Sequence, residues 1–206
     1  MATNLPFSQA CENNKSPILE RLLEAFNAPG KVLEIGTGTG QHAVHFAKAM
    51  PHLQWQPTEH PDAVDLSRPR LEQAALPNIL PVIELDVSTT HWPVESFTWA
   101  FSANTAHIMS WDEVEQMFRN IGKRLPEGGA FCLYGPFNNQ GRFTSESNRQ
   151  FDQYLRARAS HMGIRDLEDL SALAKAVGLT LAENYAMPAN NRLLVFSQDP
   201  SAAATD

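Results

Sequence analysis

Along this chain, short apolar runs alternate with longer stretches in which apolar residues recur every three or four positions. The first periodic stretch begins at Ser16-Pro17, a hydroxyl able to cap a helix followed by a proline suited to its first turn. Ile18, Leu19, Leu22, Leu23 and Phe26 then fall on one face, and Pro29-Gly30 ends it. Segments 31–35, 53–58, 79–85, 97–102 and 130–134 read as strands, with Pro81 marking the third as an edge. Between them, 41–50 is a helix stopped by Pro51, 62–75 is helical but interrupted by Pro69, and 110–125 opens on a capping box of Ser110 and Glu113. Further on, 145–159 is amphipathic, 167–177 is a helix capped by Asp166, and 179–185 with 192–198 form a hairpin.

Strands alternating with helices predict an α/β fold. We expect a Rossmann-like, doubly wound, seven-stranded sheet, mostly parallel, with an antiparallel C-terminal hairpin strand. A chain of 206 residues suits one domain. We place it at 1–198, with residues 1–16 as an N-terminal lid segment and 199–206 as a disordered tail.

The strongest local signal is Val32-Leu33-Glu34-Ile35-Gly36-Thr37-Gly38-Thr39-Gly40, a strand that runs through glycines directly into a helix. Glycines tolerate positive φ and let a ligand approach the backbone, and the carboxyl end of the first strand is where doubly wound folds bind ligands. A dinucleotide fingerprint needs a further glycine where Gln41 stands, and no Gly-Lys-Ser/Thr phosphate loop exists. The turn resembles instead the first motif of class I S-adenosylmethionine-dependent methyltransferases, including the acid two residues before the first glycine, Glu34. Two more acids end strands. Glu59 follows the second, 21 residues beyond Gly38, where a carboxylate can accept both hydroxyls of a ribose. Asp86, in Leu85-Asp86-Val87, follows the third and can accept the amine of an adenine. Together they describe a pocket for an adenosyl group that carries no phosphate.

A wider set of residues sharpens the resemblance. Phe7-Ser8-Gln9-Ala10-Cys11-Glu12-Asn13-Asn14-Lys15-Ser16-Pro17-Ile18, the glycine turn with Gln41-His42-Ala43, Trp55-Gln56-Pro57, Gly135-Pro136-Phe137 and Asn190-Asn191 resemble the methyltransferase-like family known as domain of unknown function 938. The likeness covers nearly the whole chain. It implies a class I methyltransferase fold, the cofactor S-adenosyl-L-methionine and no particular substrate. It makes Glu34, Gly36, Gly38, Gly40, Glu59 and Asp86 cofactor residues. Thr37, Gln41, His42, Val87 and Asn104 join them, and Asn14 folds over the cofactor as part of the lid. In many methyltransferases the acid at the second strand is Asp; Glu59 is one methylene longer.

The acceptor side follows the fourth strand, at Ser102-Ala103-Asn104-Thr105-Ala106-His107. The Asp/Asn-Pro-Pro-aromatic motif common in methyltransferases of nucleobases is missing, which argues against that substrate. His107 is the candidate general base, having an ordinary pKa near neutrality, and Asn104 the candidate group beside it. Methyl transfer needs no base when the acceptor is held in line. Tyr134, Phe137, Phe143 and Phe151 are candidate walls of an acceptor pocket, with Asn148 and Arg142. Arg142, Arg149 and Arg156 recur every seven residues and share a face if the helix extends back to Arg142, offering a partner for an anionic acceptor. His42 and His45 stand three apart with no obvious third ligand, so no metal is expected.

Composition narrows the partners. The net charge of −7 repels nucleic-acid phosphates, although residues 138–165 carry five arginines against two acids. No apolar run is long enough for a membrane span, and the N-terminus lacks a signal pattern, so a cytoplasmic location is expected. Cys11 and Cys132 are too few for a zinc site and far apart for a disulfide. We therefore expect methyl transfer to a small-molecule acceptor. The alternatives are a non-catalytic S-adenosylmethionine-binding protein and a nicotinamide-dependent reductase.

Overall fold

The computed structural model describes residues 5–198. They form a seven-stranded sheet from β1 (Gly30–Ile35), β2 (Leu53–Glu59), β3 (Ile83–Glu84), β4 (Trp99–Ala103), β5 (Ala130–Gly135), β6 (Leu179–Met187) and β7 (Asn191–Gln198). The spatial order is β3-β2-β1-β4-β5-β7-β6. The first five strands are parallel, and β7 runs antiparallel to both β5 and β6. The helices are α1 (Gln9–Ala25), α2 (Gln41–Ala49), α3 (Arg68–Ala74), α4 (Trp111–Arg124), α5 (Glu146–Arg158) and α6 (Leu167–Ala176).

Both faces of the sheet are covered, as a parallel sheet requires. Successive strand residues point to opposite sides, and the chain uses both. Leu33, Ala100, Phe131 and Leu133 pack with Val114, Phe118 and Ile121 of α4 and Leu170 of α6. Val32, Trp55, Phe101 and Tyr134 pack on the other side with Ile18 and Leu22 of α1 and Phe46 of α2. The register aligns the strand ends: Ile35 lies beside both Thr58 and Ser102. Gly36, Glu59 and Ala103 therefore leave the sheet at one level.

Most expected elements appear within two residues of the expected bounds, including the capping box of Ser110 and Glu113. Three differ. Helix α1 starts eight residues before Pro17, on an N-cap by the Ser8 hydroxyl to the Cys11 N–H. Pro17 sits inside the helix, where it removes one backbone hydrogen bond. Tertiary contacts hold the extra turns: the Ser8 N–H donates to Gln41 Oε1 at 2.6 Å, and Asn14 is buried. Stretch 62–75 splits into a 3-10 turn (Val64–Leu66) and α3, because Pro69 has no N–H and fits only a helix's first turn. The third strand shrinks to two residues plus a bridge from Ile79 to Trp55. Around Pro81 the Gln56 side chain replaces ladder bonding, donating to the Pro81 carbonyl at 2.8 Å. Helix α5 keeps its expected bounds to within one residue, so it does not reach back to Arg142. Asn139 and Arg142 exchange backbone hydrogen bonds across Gln140 and Gly141, both with positive φ, which makes a tight two-residue turn. The expected tail lies outside the described residues, as do the first four residues of the expected lid. No helix among the described residues is long and apolar enough to cross a membrane.

Candidate functional site

The glycine turn is built from below by a buried acid. Glu34 is 1 % exposed, and its Oε2 accepts from Thr37 Oγ1 and from Trp55 Nε1, each at 2.9 Å. Burial outweighs these bonds and pushes its carboxyl up to about 7. The N–H groups of Gly36 and Thr37 both donate to the Thr58 carbonyl, which ties the turn to β2. Gly36 has φ +75°, and a Cβ there would stand 2.6 Å from Thr105 Cγ2. Only glycine satisfies both the backbone and the neighbour.

Above the turn lies Glu59. Its Oε2 accepts from the Gly38 N–H at 2.6 Å and its Oε1 from the His60 N–H at 2.9 Å. A carboxylate oxygen has two lone pairs, so each oxygen keeps one for another donor. Two acceptors held side by side match a vicinal diol. Glu59 borders a cavity of about 220 Å³ with Gly36, Leu85, Val87, Thr105 and Ile108, and Met109, Glu113 and His161 also line it. The cavity's walls are mostly apolar, and its lining contains neither lysine nor arginine. A larger groove of about 310 Å³ lies between α3 and residues 79–82. Its lining includes none of Gly36, Glu59 or Thr105.

The other expected cofactor residues fall at different depths. Val87 lines the cavity, while Asp86 beside it turns one oxygen to the Ser88 N–H at 2.9 Å. The Ser88 hydrogen bonds hold its carboxyl below the ordinary value. Gly40 is the N-cap of α2. Gln41 bridges the turn and the N-terminal segment, accepting from Thr39 Oγ1 and from the Ser8 N–H. Arg70 fastens the same junction, donating to the Thr39 and Pro6 carbonyls. Asn14 lies inside α1, and its Oδ1 meets His42 Nε2 at 2.7 Å. Burial holds His42 at about 4, so its ring is neutral near pH 7. Among the described residues no group of three or more His, Cys, Asp or Glu side chains is arranged to hold a metal.

On the acceptor side, Asn104 follows β4 with φ +61°, uncommon for a residue other than glycine. Its N–H donates to the Tyr134 carbonyl. His107 is 7 % exposed and meets the Phe151 ring edge-on at 5.2 Å. Burial, helped by the Arg165 charge, pushes its imidazole down to about 4. The His107 ring and Phe137 both approach Gly135. Tyr134, in contrast, faces the α1–α2 side with Asn14 and Asn191 beside its hydroxyl. Tyr134 and Phe137 thus belong to opposite faces and do not share a wall. Asn148 donates to Thr144 Oγ1 and the Asn190 carbonyl, docking α5 on the β6–β7 turn. Phe143 is exposed beside Arg142 in the segment before α5.

The three arginines do not share a helix face. Arg142 lies outside α5, Arg149 forks onto Glu146, and Arg156 pairs with Asp152 at 2.7 Å. Arg165 does what the heptad spacing did not suggest. Its guanidinium donates to the Ala106 carbonyl at 2.9 Å and also to those of Met109 and His161, clamping the loop after β4. Thr105 and Ile108 are further site residues missed in the sequence. The large, 43 % exposed Ile108 side chain at a cavity lip is a signal that only the fold reveals.

Residues 5–198 match the family described as protein of unknown function (DUF938). The chain belongs to this family. Solved structures with the same fold include SibL, an S-adenosylmethionine-dependent methyltransferase in its apo form, at 19 % identity and TM-score 0.75, covering 91 % of this chain and 55 % of that one. An O-methyltransferase family protein from Burkholderia thailandensis is 15 % identical with TM-score 0.78, covering 89 % and 56 %. PigF with SAH is 20 % identical with TM-score 0.71, covering 82 % and 50 %. The chain spans about half the length of these proteins. At such identities the likeness establishes the Rossmann-like methyltransferase fold.

Proposed function

We propose that this DUF938 protein binds S-adenosylmethionine at the β1–β2–β4 strand ends and transfers its methyl group to a small-molecule acceptor. One observation carries the reading. Glu59 presents two partly satisfied oxygens to a small, mostly apolar cavity beside the Gly36–Gly38 turn, whose lining holds no lysine or arginine for a phosphate. The residues fit an adenosyl group: Glu59 for the ribose diol, Leu85, Val87 and Ile108 for the purine faces, and Asp86, next to Val87 but outside the cavity lining, for an exocyclic amine at its edge. Gln41, standing where the dinucleotide fingerprint needs its third glycine, disfavours a nicotinamide dinucleotide. SibL is described as S-adenosylmethionine-dependent and PigF was solved with SAH, which supports the same cofactor here.

Bound there, S-adenosylmethionine supplies a methyl group already activated by a sulfonium. What the chain adds is placement. Asn104, at the end of β4 directly before Thr105 of the cavity lining, is the group we assign to orienting the acceptor. His107 is neutral near pH 7 but weakly basic, so proton removal is a small part of the rate and alignment the larger part. Isothermal titration with S-adenosylmethionine, S-adenosylhomocysteine and NAD tests the cofactor. Binding of the first two alone supports the proposal, and binding of NAD alone refutes it. Labelled methyl transfer into a metabolite extract then separates an enzyme from a non-catalytic binder.

A further inference from the structure

We infer that His161 is a cofactor-binding residue, whose imidazole covers the purine from the side opposite Leu85 and Val87; this rests on the adenosyl reading above. His161 belongs to the connection between α5 and α6, far in sequence from the glycine turn, yet it lines the same cavity as Gly36, Glu59 and Val87. Its position is fixed through the backbone. Arg165 Nη2 donates to the His161 carbonyl at 3.0 Å, and the Arg165 Nε donates to the Ala106 carbonyl at 2.9 Å. The Gly163 N–H donates to the His107 carbonyl at 2.9 Å, and the Ile164 N–H to the buried Asp152 at 2.8 Å. The connection is thus anchored around His161 while the side chain is left exposed at the cavity.

The other groups at this lip explain what an imidazole would add. Ile108 and Met109 offer aliphatic surface, and Glu113 is committed to its capping box, with Oε2 on the Ser110 N–H at 2.5 Å. His161 is the aromatic ring that the α5–α6 connection brings to this lining; His60 follows Glu59 on the β2 side. A flat heterocycle held between that ring and the Leu85–Val87 wall meets apolar side chains on one face and the imidazole on the other, and every nucleobase has a π-face on which an aromatic group stacks. Because the same connection is bonded to His107, purine binding and the geometry of the acceptor side share a support.

The test is calorimetric titration of S-adenosylhomocysteine and of 5′-methylthioadenosine into wild type, His161→Ala and His161→Phe. Stacking on one base is worth roughly 5- to 150-fold in affinity. We expect His161→Ala to weaken both ligands about tenfold, with its thermal midpoint unchanged, and His161→Phe to stay within about threefold of wild type. Wild-type-like affinity in His161→Ala overturns the inference and leaves the adenosyl reading standing. Equal weakening in His161→Phe overturns stacking. If wild type binds neither ligand, both readings fall together.

Discussion

Glu34 should make the protein less stable as the pH rises from acid to neutral, and replacing it with Gln should remove that dependence. The carboxyl is sealed between β1 and β2, 1 % exposed, and burial holds it at about 7 against an ordinary value of 4.5. In the unfolded chain Glu34 ionises near pH 4.5, while in the folded chain it keeps its proton until about pH 7. A folded-state pKa above the unfolded one gives stability that is complete below pH 4.5 and is lost as pH climbs through 7. Each pKa unit is worth about 1.4 kcal/mol, so the interval amounts to roughly 3 kcal/mol.

His42 and His107 act in the opposite sense. Both are held at about 4, so their stability is present above pH 6.5 and lost as pH falls through 4. The raw profile therefore mixes opposing terms, but they cancel in a difference between variants. In Glu34→Gln the side-chain amide oxygen can still accept the Thr37 and Trp55 hydrogen bonds. Urea unfolding of wild type and Glu34→Gln, followed by tryptophan fluorescence at intervals from about pH 4.5 to 8, yields that difference. We expect the variant to gain about 3 kcal/mol on wild type across this range. A difference flat to within about 0.5 kcal/mol would refute the reasoning, because it would mean that the site solvates the carboxylate as well as water does.

Three further outcomes follow from the same geometry. Glu59→Gln should weaken S-adenosylhomocysteine roughly 10- to 100-fold by calorimetry, since hydrogen bonds to a charged group contribute about 1.5–3 kcal/mol; unchanged affinity would remove Glu59 from the ribose site. Gly36→Ala combines a positive φ with a methyl 2.6 Å from Thr105 Cγ2, and should cost about 2–4 kcal/mol in urea unfolding. Adding Thr105→Ser, which keeps the hydroxyl bonded to Ser102, should recover about 1 kcal/mol; purely additive losses would show that the methyl contact is irrelevant. NMR titration of the His42 and His107 ring protons should give midpoints near 4, and a midpoint above about 6 for either would contradict its burial.

The parts of the fold legible in the sequence are those set by local chemistry. Glycines after an apolar strand, a serine three residues before a glutamate and a hairpin flanked by apolar runs each carry their own instruction. The parts that were not legible depend on contacts distant in the chain. Pro17 reads locally as a first-turn proline, yet α1 begins at Gln9 because Ser8 finds Gln41, 33 residues away. Arg165 looks like one more charge of an arginine-rich segment, but it serves carbonyls 59 and 56 residues upstream. Tyr134 and Phe137 are neighbouring aromatics in sequence, and strand pairing sends them to opposite faces.

Glu34 and Glu59 show how one residue type takes two parts at the same turn. In the sequence both are acids near glycines, and the family resemblance groups them as cofactor residues. In the fold they stand on adjacent strands, below and above the Gly36–Gly40 loop. Glu34 spends its Oε2 on Thr37 and Trp55 and is closed off from the cavity, so its influence on a ligand passes through the turn it holds. Glu59 spends one lone pair per oxygen on backbone N–H groups and keeps the others at the cavity wall. The Gly38 N–H is the hinge of this division. By bonding Glu59 it fixes the longer Glu side chain at a reach that a shorter Asp would need to achieve by moving the backbone. The extra methylene at position 59 is thereby matched to the turn, and a Glu59→Asp variant should lose the Gly38 contact before it loses the fold.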